Sequence, residues 1–269
     1  MSNVSVAVDS GKIKAIGPAT ELAGLFHPDQ TIDGEGRLLT PGFVDSHTHL
    51  VFGGERSHEF VQRCAGADYE QIAADGGGIR ASVRMTRESD IDQLLESARP
   101  RLERMIASGS TTIEIKSGYG LDLETELRML RAIRQLSQES PAQIVATFMG
   151  AHEIPDEWQN HRQEYIRIVC EEMIPAVAAE GLAEFCDIFC ERGVFDPEES
   201  RQILRAGIKH GLRPKIHADE LAASGGSLIA GELGAISADH LMEITPEGIK
   251  SLQKSGVVAT LLPGTTFYL

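Results

Sequence analysis

The sequence predicts an α/β fold: a TIM-like (β/α)8 barrel that is incomplete, with about seven β/α units behind a small N-terminal β region. From Gly42 onward, short apolar runs typical of strands alternate with amphipathic runs at helical spacing, which indicates parallel strands joined by crossover helices. The length of 269 residues suits one such barrel. No G-x-G-x-x-G segment follows a predicted strand, which disfavours an open nucleotide-binding sheet.

Two domains are expected. Residues 1–41 form the first, a partial β-sandwich region, because VSVAV, KIKAIG and QTIDGEGRLLTPG alternate apolar and polar positions between glycine and proline breaks. Residues 42–269 form the second, the barrel. We expect this barrel to be truncated at its C-terminus, because the pattern ends just after a seventh strand.

Seven strands and five long helices are predicted in the barrel domain. The strands are predicted at 42–49, 111–118, 143–152, 185–193, 213–220, 235–241 and 257–264. The helices are predicted at 89–109, 122–139, 161–181, 196–211 and 245–256, and Ser89 and Asp122 are the expected N-caps of the first two. A barrel of seven strands has an open side, so we expect strand edges and apolar core residues to be exposed there.

The chain is strongly acidic, with 25 Lys and Arg residues against 40 Asp and Glu residues and a formal net charge of −15. Nucleic acids and anionic membrane surfaces bind clustered basic residues, so neither is an expected partner. No apolar run is long enough to span a bilayer, and the N-terminus lacks the regions of a secretory signal. Together with the low number of cysteines, four, these observations favour a cytoplasmic protein with reduced thiols.

Cys186 and Cys190 have a C-x-x-x-C spacing that resembles a zinc half-site. Both residues also lie within the apolar run FCDIFC, which is predicted as a strand. Two packed strand residues are therefore the favoured interpretation.

The strongest local signal for chemistry is the pair His47 and His49 at the end of the first barrel strand. Residues two apart in a strand point to the same face, so two imidazoles at this spacing can converge on one cation. A surface or core pair without a ligand is the alternative for the pair taken alone.

Further histidines lie at the C-terminal ends of predicted strands. His152, His217 and His240 end the third, fifth and sixth barrel strands, on the face where barrel enzymes build their active sites. Their shared position favours one common site over separate structural roles. Glu220 follows His217 by three residues, and a carboxylate there can hold a substrate N–H or move a proton.

Several segments resemble a known family. PGFVDSHTHL (41–50), the preceding β region and the histidines of strands five and six are similar to the amidohydrolase superfamily of metal-dependent hydrolases. More narrowly, FGGERSHEF (52–60), IKSGYGLDLETELRML (115–130), ATFMGAHEIP (146–155) and KIHADEL (215–221) resemble the imidazolonepropionase family. That resemblance implies hydrolytic ring opening of 4-imidazolone-5-propanoate to N-formimidoyl-L-glutamate, a step of histidine degradation.

The resemblance also implies roles for individual residues. It makes His47, His49 and His217 metal ligands, and it makes Glu220 and His240 catalytic, with His240 orienting the attacking water. The substrate-binding residues that it implies are Arg56, Tyr69, Tyr119, His152 and Glu220, with Arg56 suited to the propanoate carboxylate. One divalent or trivalent ion, zinc or iron, is the expected cofactor, because the predicted fourth strand lacks the lysine that bridges two metals in binuclear relatives.

One departure from the family pattern concerns an Asp that relatives carry at the end of an eighth strand, a strand that this sequence is not predicted to contain. The sequence is therefore expected to be a fragment. An inactive metal-binding fragment and another amidohydrolase, such as a ring deaminase, are the alternative functions. The expected partner is the small-molecule substrate, and fold-level analogy allows a homodimer.

Overall fold

The computed structural model describes residues 4–66 and 76–268 and divides the chain into two units, 1–41 and 42–269. In the first unit, strand β1 (Ser5–Asp9) pairs antiparallel with β2 (Lys12–Gly17), and helix α1 (Ala19–Leu25) follows. The strand expected from QTIDGEGRLLTPG is wrong, because residues 30–41 form no strand. Alternation alone does not make a strand where the backbone has no partner to pair with.

The second unit is built on a sheet of parallel strands. They are β3 (Phe43–Asp45), β4 (Ser110–Lys116), β5 (Gln143–Ala151), β6 (Phe185–Cys190), β7 (Arg213–Pro214), β8 (Ile216–Ala218), β9 (Ser237–His240) and β10 (Val258–Thr260). The order is β3-β4-β5-β6-β8-β9-β10, with β7 also paired to β6, so β7 and β8 are two parts of one interrupted strand. Seven parallel strand positions in sequential order confirm the predicted incomplete barrel.

Helices connect the strands. They are α2 (Ser57–Cys64), α3 (Gly78–Glu88), α4 (Ile91–Ala107), α5 (Leu123–Glu139), α6 (Arg162–Ile168), α7 (Ile174–Glu180), α8 (Pro197–Lys209), α9 (Gly226–Leu233), α10 (Pro246–Ser255) and α11 (Pro263–Tyr268). A 3-10 turn (Asp156–Trp158) precedes α6, and a π-helical turn (Val169–Met173) joins α6 to α7. None of the described helices is long and apolar enough to cross a bilayer.

Capping side chains fix where the long helices begin. The expected cap of α5 is confirmed, because the Asp122 carboxylate accepts the Thr125 N–H at 2.8 Å. The expected cap of α4 is wrong by one residue. Asp90 accepts the Gln93 N–H and the Gln93 side chain accepts the Asp90 N–H, which forms a capping box. Ser89 instead donates its hydroxyl to the Met85 carbonyl, near the end of α3.

The sheet has an open side between β3 and β10. Among the described residues, no backbone pairing joins these two edge strands, and a cleft of about 350 Å³ is lined by residues of both. Large apolar side chains in or next to the two edge strands are exposed: Phe43 (60%), Val44 (66%), Val258 (61%) and Leu261 (68%). The expected exposure of edge and core residues is confirmed.

Candidate functional site

His47, His49 and His217 converge above the C-terminal edge of the sheet. Each offers one ring nitrogen, and these atoms all lie within 4.8 Å of one another. His49 and His217 point their Nε2 atoms at each other across 3.3 Å. Two nitrogens held about 2.0–2.1 Å from one ion at a tetrahedral angle lie about 3.3 Å apart. The three imidazoles therefore fit one metal ion.

Local backbone contacts hold the first two imidazoles in place. His47 and His49 lie just beyond β3, where Thr48 donates its hydroxyl to the Glu114 carbonyl and accepts the Lys116 N–H at 2.9 Å. These bonds continue the attachment to β4 after the regular strand has ended. The alternation of side chains then directs both rings toward the same face.

Burial keeps these imidazoles neutral. It lowers the pKa of His47, against the opposing effect of a hydrogen bond to Asp239, and lowers the pKa values of His49 and His217 well below the usual range. Neutral imidazole is the form that coordinates metals, so the electrostatic environment favours coordination.

His152 and Tyr119 form one wall beside these imidazoles. The His152 ring is stacked on His49 with centroids 4.6 Å apart, and the Tyr119 ring lies 5.5 Å from His49 and 5.3 Å from His152. His152 Nδ1 lies 3.0 Å from the Gly118 carbonyl, which can only accept. His152 therefore donates from Nδ1 and presents an Nε2 acceptor, and burial lowers its pKa to about 4.

Glu126 holds the loop that carries Tyr119. Its buried carboxylate accepts the N–H groups of Gly118, Gly120 and Leu121 at 2.8–3.2 Å. Gly118 has φ +108°, and a Cβ there would lie 2.9 Å from the Met149 carbonyl oxygen, so this position requires glycine. The GYGLDLETE motif thus encodes both the loop and its anchor.

His240 and Glu220 lie next to the same imidazoles. His240 Nδ1 is 3.1 Å from a Glu220 carboxylate oxygen, and the His240 ring is centred 5.1 Å from both His47 and His217. His240 has φ +77°, a left-handed conformation that is uncommon outside glycine and clusters at functional sites. The Glu191 carboxylate accepts the Glu220 N–H at 3.0 Å and so positions the Glu220 backbone.

Two further residues implied by the family resemblance stay predictions. Tyr69 lies outside the described residues. Arg56 is the residue before α2, and among the described residues its guanidinium is paired with Glu59 at 3.7 Å.

Sequence reasoning missed a set of buried charged residues beneath the imidazoles: Glu114, Lys116, Asp187, Lys215 and Asp239. The available signal was a charged residue inside an otherwise apolar strand, as in FCDIFC and TTIEIKSG. Cys186 and Cys190 in the former strand are buried, and burial raises both thiol pKa values, that of Cys190 to about 11. The packed-strand interpretation of this pair is confirmed.

No protein-family model matches the chain. Curated proteins that share the name imidazolonepropionase are similar to most or all of its length. The imidazolonepropionase of Geobacillus thermodenitrificans (strain NG80-2) is 48% identical over 273 residues, which cover 100% of this chain and 64% of that protein. The imidazolonepropionase of Shouchella clausii (strain KSM-K16) is 52% identical over 240 residues, covering 89% of this chain and 54% of that protein. The chain thus spans less than two thirds of the length of these relatives.

Solved structures share the fold at low sequence identity. A 5-methylcytosine deaminase from Klebsiella pneumoniae with 5-fluorocytosine superposes with a TM-score of 0.69 at 16% identity, covering 96% of this chain and 62% of that one. A zinc complex of a mutant atrazine chlorohydrolase from Arthrobacter aurescens TC1 gives a TM-score of 0.60 at 15% identity, covering 97% and 61%. These likenesses support the incomplete TIM-like barrel.

Proposed function

Since this chain is related to the imidazolonepropionases along its whole length, we propose that the protein opens the ring of 4-imidazolone-5-propanoate with water to give N-formimidoyl-L-glutamate, in histidine degradation. Residues 42–269 are the metal-dependent hydrolase barrel in this proposal, and residues 1–41 are the partial β-sandwich domain. The observation that carries the proposal is the convergence of His47, His49 and His217 beside a wall of further ring side chains.

The three converging histidines are the proposed ligands of one ion, zinc or iron. When bound, such an ion acidifies a water molecule and polarises the carbonyl that the water attacks. Around it the chain supplies neutral imidazoles with free Nε2 lone pairs. The 3.3 Å separation of the His49 and His217 Nε2 atoms supports this assignment.

Glu220 and His240 are the proposed catalytic pair. Water adds to the ring carbonyl carbon, the amide C–N bond breaks, and the released nitrogen takes up a proton. Glu220, beside His240 at 3.1 Å, contacts the ring and moves that proton, while His240 orients the attacking water. Both side chains are nearly buried, which keeps bulk water away from the proton that Glu220 moves.

The remaining substrate contacts are proposed for His152 and Tyr119, beside the imidazoles, and for Arg56 and Tyr69. His152 offers its Nε2 acceptor to a ring N–H, and Tyr119 stands beside it. Arg56 binds the propanoate carboxylate, since a guanidinium can make two parallel hydrogen bonds to it, and Tyr69 provides a further contact. A local cation is needed because the net charge of −15 repels an anionic substrate.

The proposed setting is a cytoplasmic enzyme, as a monomer or homodimer, with a small-molecule substrate and no nucleic-acid or membrane partner. The acidic balance of the sequence supports the exclusion of polyanionic partners.

Turnover tests the proposal directly. The 269-residue chain and a version extended through an eighth strand are loaded with zinc or iron, and loss of imidazolone absorbance and release of ammonia are followed together. We expect ring opening without ammonia by the extended version. Ammonia release identifies a ring deaminase, and equal near-zero rates in both versions refute the enzyme assignment.

Metal analysis gives a second test of the same proposal. His217→Ala should reduce the bound metal from about one ion per chain to near zero, because it removes one of three ligands. His210→Ala, which changes an exposed histidine at the end of α8, is the matched control and should retain the metal. Full metal content in His217→Ala contradicts the ligand assignment.

A further inference from the structure

A layer of five charged side chains lies beneath the imidazoles, and we call it the buried charge layer. Its members are Glu114, Lys116, Asp187, Lys215 and Asp239, and each side chain is at most 6% exposed. They project from β4, β6, β9 and the residue between β7 and β8. Burying a charged side chain costs free energy unless it is paired with an opposite charge. Five such side chains in one place therefore indicate a specific role.

Lys116 is the centre of the layer. Its ammonium lies 2.7 Å from Asp187, 3.0 Å from Glu114 and 3.4 Å from Asp239. Lys215 adds a second cation, 2.8 Å from the other oxygen of Glu114. Lys116 therefore pairs with both aspartates as carboxylates.

The two aspartates contact two of the proposed metal ligands from behind. Asp239 Oδ2 lies 2.7 Å from His47 Nδ1, and its other oxygen accepts the Ser237 hydroxyl at 2.6 Å. Asp187 Oδ2 lies 3.1 Å from His217 Nδ1, in contact with it but not aligned for a hydrogen bond. A carboxylate only accepts, so a proton on His47 Nδ1 satisfies the bond to Asp239 and leaves Nε2 free, and a proton on His217 Nδ1 would face the Asp187 carboxylate.

We propose that Asp239 and Asp187 are positioning residues that fix the tautomer and orientation of His47 and His217, with Lys116 holding both carboxylates in place. This inference rests on the metal site of the proposed function. Carboxylates behind ligating histidines orient the ring and raise its basicity, and their loss typically weakens metal binding 10- to 100-fold. His47, whose Nδ1 is hydrogen-bonded, should depend on its aspartate more than His217 does.

The charge of the layer supports the same role. Three carboxylates face two ammonium groups, so the layer carries one excess negative charge directly below neutral imidazoles. A low-polarity surrounding strengthens the attraction between that charge and a cation held above it. The buried charge layer thus provides negative charge near the metal cation, which three neutral imidazole ligands do not provide.

The test compares Asp239→Asn with Glu199→Gln. Asparagine keeps the size and one acceptor oxygen of Asp239 but removes its charge. Glu199 is a buried carboxylate paired with Arg162 at the start of α8, outside the layer, so its change controls for general destabilisation. Zinc affinity is measured by competition with a chromogenic chelator, and the visible spectrum of bound Co²⁺ reports the ligand geometry.

We expect zinc to bind 10- to 100-fold more weakly to Asp239→Asn, with an altered Co²⁺ spectrum, and to bind Glu199→Gln with unchanged affinity. Equal zinc affinity in Asp239→Asn and the unaltered chain overturns this inference and leaves the proposed function standing. An unaltered chain that binds no zinc overturns both.

A second measurement needs no variant and covers the case in which Asp239→Asn does not fold. Nitrogen-15 NMR of the zinc-loaded chain distinguishes a protonated ring nitrogen from a metal-bound one. We expect His47 and His217 to be protonated at Nδ1 and bound through Nε2. Binding through Nδ1 at either residue refutes the assigned role of its aspartate.

Discussion

Glu126 anchors the loop that carries Tyr119, and we predict that Glu126→Gln destabilises the chain by about 1–2 kcal/mol. Oε1 of Glu126 accepts the N–H groups of Gly120 and Leu121 at 2.8 and 3.0 Å, and the N–H of Gly118 is shared between Oε1 at 3.2 Å and Oε2 at 3.1 Å. A glutamine amide keeps one oxygen and replaces the other with NH2. If NH2 replaces Oε1, two buried N–H groups lose their acceptor; if NH2 replaces Oε2, the Gly118 N–H faces a donor and keeps only the longer of its two bonds.

The expected magnitude follows from two opposing effects. A buried donor without an acceptor costs about 1–3 kcal/mol. Burial raises the pKa of Glu126, which means that its charge is itself costly to bury, and a neutral amide avoids part of that cost. The net effect should therefore lie in the lower half of the range.

Urea unfolding in the presence of a chelator measures this effect without a contribution from metal. Glu124→Gln is the matched control, because Glu124 is exposed in the first turn of the same helix and the substitution is identical. Its free energy of unfolding should change by less than about 0.5 kcal/mol. Equal changes in the two variants would refute the anchoring role of the Glu126 carboxylate.

The other predictions concern substrate binding and pH. Arg56→Lys keeps the charge but loses the planar guanidinium with its paired N–H donors, so KM for the imidazolone should rise about tenfold. The metal content should stay unchanged, and loss of metal would contradict the assignment of Arg56 to the substrate. The pKa of His152 is lowered to about 4 in the folded chain. The unfolded chain, with a pKa of about 6.5, takes up the proton first as the pH falls, so stability is lost below about pH 6.5. Between pH 7 and pH 5 this effect amounts to about 2 kcal/mol in metal-free urea unfolding, and His152→Gln should show a decrease smaller by that amount. An identical decrease would show that His152 is not responsible.

Much of the architecture could be predicted because the β/α alternation is regular and several of the long helices begin at a capping side chain. The strand-end histidines followed from the same pattern, since parallel strands bring their C-terminal ends to one edge. The strand predicted over residues 213–220 is interrupted between Pro214 and Ile216, a detail that periodicity does not encode.

The buried charge layer could not be predicted for a physical reason. Strands of a parallel barrel are covered on both faces, so apolar periodicity does not tell which face points to the interior. Glu114 and Lys116 share one face of β4, but the sequence alone did not tell whether that face is inward or outward. Only the distances from Lys116 to Asp187 and Asp239, on two other strands, identify it.

The position of β3 at the open side has a consequence for the behaviour of the site. This strand has three residues and, within the described part of the chain, pairs only with β4. Two of the proposed ligands follow it directly, while the third lies across the barrel on β8. An ion bound by all three histidines would therefore link the edge strand β3 to strand β8. Unpairing of β3 from the sheet and release of the ion would then be coupled, and slow amide exchange around Val44 would indicate the metal-bound state.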